Sequence, residues 1–202
     1  MGVIQRRWHE FRQSPIQALS NWQQMRWLWL TSAMVALSMN LIAHYIFQIA
    51  LEMDPCEKCV YIRYAMFCLV FGGLIAAINP KSFILRIIGY AMTLYGAIFG
   101  AIWSKELINN YSLMRAPTEG IDPFAAGFGF ASCSTEPTFH FNLPLDSWFP
   151  SWFSPSGICG IDEWSFFGLD MGGWTLIIFG VYLILITLFF ISALIKRNKS
   201  SS

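Results

Sequence analysis

Charge is what this chain has least of. Its 202 residues include 13 Lys and Arg and 12 Asp and Glu, so charged residues make up 12% of the chain. That is about half the ~25% usual in globular proteins. A net charge of +1 excludes a nucleic-acid binder working by bulk electrostatics, because nothing would neutralise a run of phosphates. Low-complexity tracts and short internal repeats are also lacking. Apolar residues instead reach 55% and aromatic residues 17%, with a mean hydropathy of +0.49. No soluble fold of this size has enough interior to hide so much apolar surface. The chain is a membrane protein.

Four stretches nearly empty of charge predict four helical spans. Residues 27–51 form a run of 25 without Asp, Glu, Lys or Arg, with His44 its only histidine. At about 1.5 Å per residue a helix of that length exceeds the ~30 Å hydrocarbon core. Residues 60–79 are interrupted only by Arg63 and stop at Pro80. Residues 87–104 and 171–195 complete the set. The runs are continuous rather than alternating, which argues for helices and against a barrel. The expected architecture is an all-α, four-helix membrane bundle in a single domain over residues 1–202. It carries outer loops at 52–59 and 105–170, the second large and mostly irregular.

The charges that remain are sorted by side. Nine of the 13 basic residues lie on the N-terminal arm, the short second connection and the C-terminal tail. Eleven of the 12 acidic residues lie on the other two loops. The positive-inside rule then places both termini in the cytoplasm and both cysteine-bearing loops outside. The first span ends in Phe47-Gln48-Ile49-Ala50-Leu51, with no small-residue cleavage site, and is expected to be a retained anchor. In the large loop, residues 143–153 are too apolar for a free loop and too short to span. Their Trp and Phe residues suit a segment lying in the membrane interface, or an aromatic cluster within the loop.

Of the five cysteines, Cys68 lies within the second span and reads as a small buried hydrophobe. The other four fall in the outer loops, where an oxidising compartment favours two disulfides. Cys56-Glu57-Lys58-Cys59 encloses too short a loop to be much of a staple, and such pairs are usually redox-active or metal-binding. Metal binding needs more ligands than two thiols, and the nearest external candidate is the single His140. Cys133 and Cys159 lie 26 positions apart and could be a structural staple or a second redox pair. Arg63 adds an independent feature. It follows Cys59 by one helical turn, on the same face and ~6 Å deeper. A charge inside a span marks a functional site by default, although an arginine at this depth can also snorkel to the headgroups. One turn below a thiol, a guanidinium stabilises a thiolate and can donate to a carbonyl oxygen of a membrane-dissolved electron acceptor.

These features together resemble the DsbB family of bacterial inner-membrane disulfide-generating enzymes. The resemblance rests on Pro55-Cys56-x-x-Cys59-x-Tyr61-x-Arg63, the four-span topology and the spaced Cys133/Cys159 pair. Leu143-Pro144-Leu145-Asp146-x-Trp148 and Trp164-x-Phe166-x-Gly168-Leu169-Asp170-Met171 add to it. Two departures point to a specialised relative, similar to the DsbI proteins that serve a dedicated DsbL partner. The family's histidine near the outer end of span three has no counterpart within residues 104–111, and residues 114–127 read as an insertion.

What the resemblance implies is an electron relay. A reduced thioredoxin-fold partner of the DsbA or DsbL kind attacks a Cys133–Cys159 disulfide at Cys133. Cys159 then pairs transiently with Cys56. Cys59 is released as a thiolate beside a bound quinone, ubiquinone or menaquinone, with Arg63 stabilising the charge. Two other classes remain at this level: a four-span scaffold with structural disulfides, and a thiolate metal carrier.

Overall fold

The computed structural model describes residues 8–9, 11–115, 137–157, 159 and 164–201. A short helix α1 (Pro15–Trp22) starts on proline, whose missing N–H costs nothing in a first turn. Helix α2 (Arg26–Leu41) runs directly into a π-wound segment, Ile42–Ala50. Then come α3 (Glu57–Ile78) and α4 (Phe83–Arg115). Two single-turn helices follow, α5 (Leu145–Trp148) and α6 (Pro150–Phe153). A small hairpin, β1 (Ser165–Phe166) paired antiparallel with β2 (Leu169–Asp170), leads into α7 (Met171–Ser201). Its two turn residues, Phe167 and Gly168, have φ of 51° and 75°, the left-handed conformation a tight two-residue hairpin needs.

Four helical stretches are long and apolar enough to cross a membrane: Arg26–Ala50, Glu57–Ile78, Phe83–Ser112 and Met171–Ile195. The expected all-α bundle is therefore the fold. Of these, α3 has 72% of its most apolar window buried, against 22%, 33% and 28% for the others. It is the central helix. It packs against α2 on one side and α4 on the other, while α4 also packs on α7. The outward residues of α4 and α7, such as Ile84, Ile88, Ile184 and Leu188, are exposed, as lipid-facing positions must be when hydrocarbon is the solvent.

Small residues set the close approach of α3 and α4. A Cβ at Gly72 would lie 2.9 Å from the Thr93 backbone nitrogen and 3.0 Å from the Gly89 oxygen. One at Gly96 would lie 2.6 Å from the Ala65 oxygen. Lipid tails are as apolar as Leu, so helices associate here by backbone proximity and packing rather than by a hydrophobic drive. Polar ties secure the end of the bundle remote from the Cys-x-x-Cys pair. Tyr90 donates to Gln23 Oε1 at 2.6 Å, and the Trp29 indole to the Gln23 carbonyl at 2.8 Å.

Helix α4 outlasts the stretch 87–104 expected to span. Lys105 and Glu106 do not break it. Glu106 pairs with Lys58 at 2.9 Å, and Leu107 and Tyr111 are buried in the cluster around the cysteines. Its last turns thus wall the start of α3. The segment 143–153 folds as α5 and α6, with Phe153 turned inward against Phe67 and Phe139 and with Trp148 and Phe149 exposed.

Candidate functional site

The site is assembled at the N-terminus of α3. Pro55 keeps the chain extended, and Cys56 caps the helix, its Sγ accepting from the Cys59 N–H at 3.4 Å. The two sulfurs are 2.8 Å apart. Cys56 is fully buried and Cys59 nearly so. A sulfur in the first turn sits where unsatisfied N–H groups and the helix dipole favour negative charge.

Arg63 lies one turn further in, 5% exposed. Its guanidinium is fastened from two other elements. Nη1 donates to Gln48 Oε1 at 2.7 Å and to the Trp152 carbonyl at 3.4 Å, and Nη2 to the Ala43 carbonyl at 3.2 Å. Ala43 and Gln48 belong to the π-wound stretch and Trp152 to α6. These bonds satisfy a charge that burial would otherwise make very costly. An arginine so held is tied down within the protein, one turn from Cys59.

Cys59 and Arg63 both open on one cavity of about 450 Å³. Its walls come from α2 and the π-wound stretch (Met39, Asn40, Ala43, Phe47), the hairpin (Trp164, Phe166) and α7 (Met171, Trp174, Thr175, Ile178). They are overwhelmingly apolar. Asn40, wholly buried, donates from Nδ2 to the Arg63 carbonyl at 3.3 Å. A flat apolar molecule bearing a carbonyl acceptor matches this lining, with a thiol and a cation on one wall.

Cys159 takes part in a disulfide, is 2% exposed and belongs to the same buried cluster as Cys56 and Cys59. The chain before it is pinned to the chain before Cys56. The Ser156 and Gly157 N–H groups donate to the Pro55 carbonyl at 3.0 and 3.1 Å, and Ser156 Oγ to Asp54 at 2.9 Å. Gly157 lies so close to Asp54 that a Cβ there would collide with its backbone. Cys133 lies outside the described residues. Thr138, five positions after it, donates its N–H to Tyr61 Oη at 2.9 Å. Cys68 is a buried thiol packed among Tyr61, Tyr64 and Phe153, as its place in the span predicted. His140 packs its ring against Phe99 and Trp103, and no group of three metal-ligating side chains occurs among the described residues.

Gln48, Asn40 and His44 were not singled out as site residues by sequence reasoning. Yet Asn40, His44 and Gln48 recur every fourth position, a polar stripe on one helical face that an apolar run does not otherwise need.

A Cys-x-x-Cys pair at a buried helix start, a third, disulfide-bonded cysteine whose preceding chain is pinned beside it and a cavity shared with a guanidinium define a membrane-embedded thiol–disulfide oxidoreductase. The chain belongs to the DsbB family: residues 25–189 match the family of the disulfide bond formation protein DsbB. It is 50% identical over 155 residues to the protein-disulfide oxidoreductase DsbI of Escherichia coli O1:K1 / APEC, covering 77% of this chain and 67% of that one. Identity to the protein of the same name from Lelliottia amnigena is 48% over 162 residues, 80% and 71% of the two chains. A putative DsbI of Shewanella oneidensis is 40% identical over 177 residues, 86% and 84% of the two.

Proposed function

We propose that this protein reoxidises a periplasmic thioredoxin-fold dithiol oxidase of the DsbA or DsbL kind and delivers the electrons to a membrane quinone. The observation that carries this reading is the apolar cavity shared by Cys59 and Arg63, both of which open on it. In this reading the protein sits in the bacterial inner membrane with both termini cytoplasmic, as its basic segments favour. The cysteines then face the periplasm. Similarity to DsbI proteins favours a dedicated, DsbL-like partner.

The relay runs through Cys133, Cys159, Cys56 and Cys59 in that order. A partner thiolate attacks Cys133, breaking a Cys133–Cys159 bond and leaving Cys159 as thiolate. The partner's second thiol displaces Cys133 and leaves oxidised. Cys159 attacks Cys56, and Cys59 departs as thiolate, stabilised by the helix start and by Arg63. Cys133 then attacks Cys159, restoring their bond and leaving Cys56 and Cys59 both reduced. The bonds from Ser156 and Gly157 to Pro55 support the middle exchange, since they hold the chain before Cys159 beside Cys56. A quinone, when bound, supplies a two-electron acceptor whose carbonyl oxygen matches a guanidinium donor. Re-forming the Cys56–Cys59 bond would release two electrons and two protons, which such an acceptor would take up.

Purification in mild detergent, followed by extraction and metal analysis, tests this. Copurifying quinone and a visible absorbance change when Cys59 is ionised support the relay. Stoichiometric zinc or copper with no quinone favours a thiolate metal carrier. Neither, with both disulfides inert to a reduced thioredoxin-fold protein, favours a scaffold with structural staples.

A further inference from the structure

We propose that His44 is a positioning residue for Arg63, acting through Gln48; this rests on the quinone reading above. The π-wound stretch makes the arrangement. His44 and Gln48 lie four residues apart on it, about one helical turn, which brings the imidazole to the Gln48 amide. His44 is 6% exposed, and its Nδ1 lies 3.0 Å from Gln48 Oε1. The Gln48 amide can point only one way. Its Nε2 donates to the Ser151 carbonyl at 3.2 Å, which turns Oε1 inward onto Arg63 Nη1 at 2.7 Å. An amide oxygen only accepts, so the nitrogen facing it must carry hydrogen. His44 is thereby held with its proton on Nδ1.

The ring itself is fixed. It stacks on Trp152 with centroids 4.0 Å apart and planes at 18°, and meets Tyr45 edge-on at 5.0 Å. The Trp152 that clamps the ring also offers its carbonyl to Arg63. His44, Gln48 and α6 therefore form one bracket that aims the guanidinium along the cavity wall. Removing the His44 donor leaves Gln48 Oε1 with Arg63 alone and takes away one of the three bonds that hold the amide in place. A hydrogen bond of ordinary net worth corresponds to about three- to tenfold in the binding it preorganises.

Titration of the purified full-length protein in detergent with a short-chain benzoquinone tests this, read by quenching of tryptophan fluorescence; Trp164 and Trp174 line the cavity. His44→Leu should weaken binding about three- to tenfold. His44→Asn, whose Nδ2 falls where Nδ1 stood, should restore it to within about twofold. In an Arg63→Gln background, His44→Leu should have no further effect. A purely structural role would lower the melting temperature of His44→Leu while leaving quinone affinity unchanged. That result, failure of His44→Asn to rescue, or an equal loss in the Arg63→Gln background would overturn the inference alone. Arg63→Gln binding quinone like the unsubstituted protein would overturn the quinone reading, and this inference with it.

Discussion

Arg63→Lys keeps the charge and removes the geometry, and so separates the two contributions of this side chain. The guanidinium serves three acceptors spread around it, Gln48 Oε1, the Ala43 carbonyl and the Trp152 carbonyl, at 2.7 to 3.4 Å. A planar fork can hold these and still present an N–H edge to a ligand. An ammonium is a compact point donor on a different stem, and satisfying the same acceptors draws it away from the cavity. A hydrogen bond to a charged group is worth about 1.5–3 kcal/mol, which sets the range for losing the ligand bond at roughly 10- to 150-fold. Retained Coulomb attraction recovers part of it, so the lower end is expected, about tenfold. The assays are the Michaelis constant for quinone at saturating reduced partner and a direct quinone titration, both normalised to inserted protein. Turnover at saturating quinone should fall less than the Michaelis constant rises. Unchanged quinone affinity in a normally inserted Lys variant would refute the reasoning and return Arg63 to a structural cation.

Three further outcomes follow from named contacts. Cys159→Ser leaves Cys133 as an unpaired thiol that attacks an oxidised thioredoxin-fold partner and should accumulate a covalent adduct, seen on a non-reducing gel and dissolved by reductant, which only the partner's own second thiol is left to resolve; Cys133→Ser should not. The reverse pattern would exchange the two roles. Cys68→Ala should leave quinone reduction at the unsubstituted rate and cost only a small cavity, about 1–2 kcal/mol in thermal stability; loss of redox turnover would give Cys68 a function. Gly72→Ala should lower stability by about 1–3 kcal/mol, since its Cβ meets the backbone of Thr93 and Gly89 at 2.9 and 3.0 Å; an unchanged melting temperature would show that α3 and α4 can separate freely.

The bundle was legible because a membrane span has to be apolar from end to end, and the few charges mark where spans stop. The Cys-x-x-Cys pair with Arg63 one turn below was legible for the same reason: a guanidinium in hydrocarbon needs a cause. The rest depended on packing that no local pattern states. Lys105 and Glu106 read as the end of a span, yet an ion pair with Lys58 and the burial of Leu107 and Tyr111 carry α4 to Arg115. The change from α to π winding at Ile42 has no turn signal, and it decides which side chains meet Arg63. Trp152 reads as one more interfacial aromatic, and only its stack on His44 and its carbonyl on Arg63 make it part of the site. Gln48 sits within an apolar run, and its importance rests on three partners from three segments.

The most direct test of the relay is anaerobic turnover of the purified protein with a reduced thioredoxin-fold dithiol and a measured amount of quinone. Dithiol oxidised and quinone reduced are counted in the same sample. One quinone should be reduced for each dithiol oxidised, with no turnover in Cys59→Ser, because electrons must pass through the thiol that opens on the cavity beside Arg63. Dithiol oxidation without matching loss of quinone, or full quinone reduction by Cys59→Ser, would contradict the account.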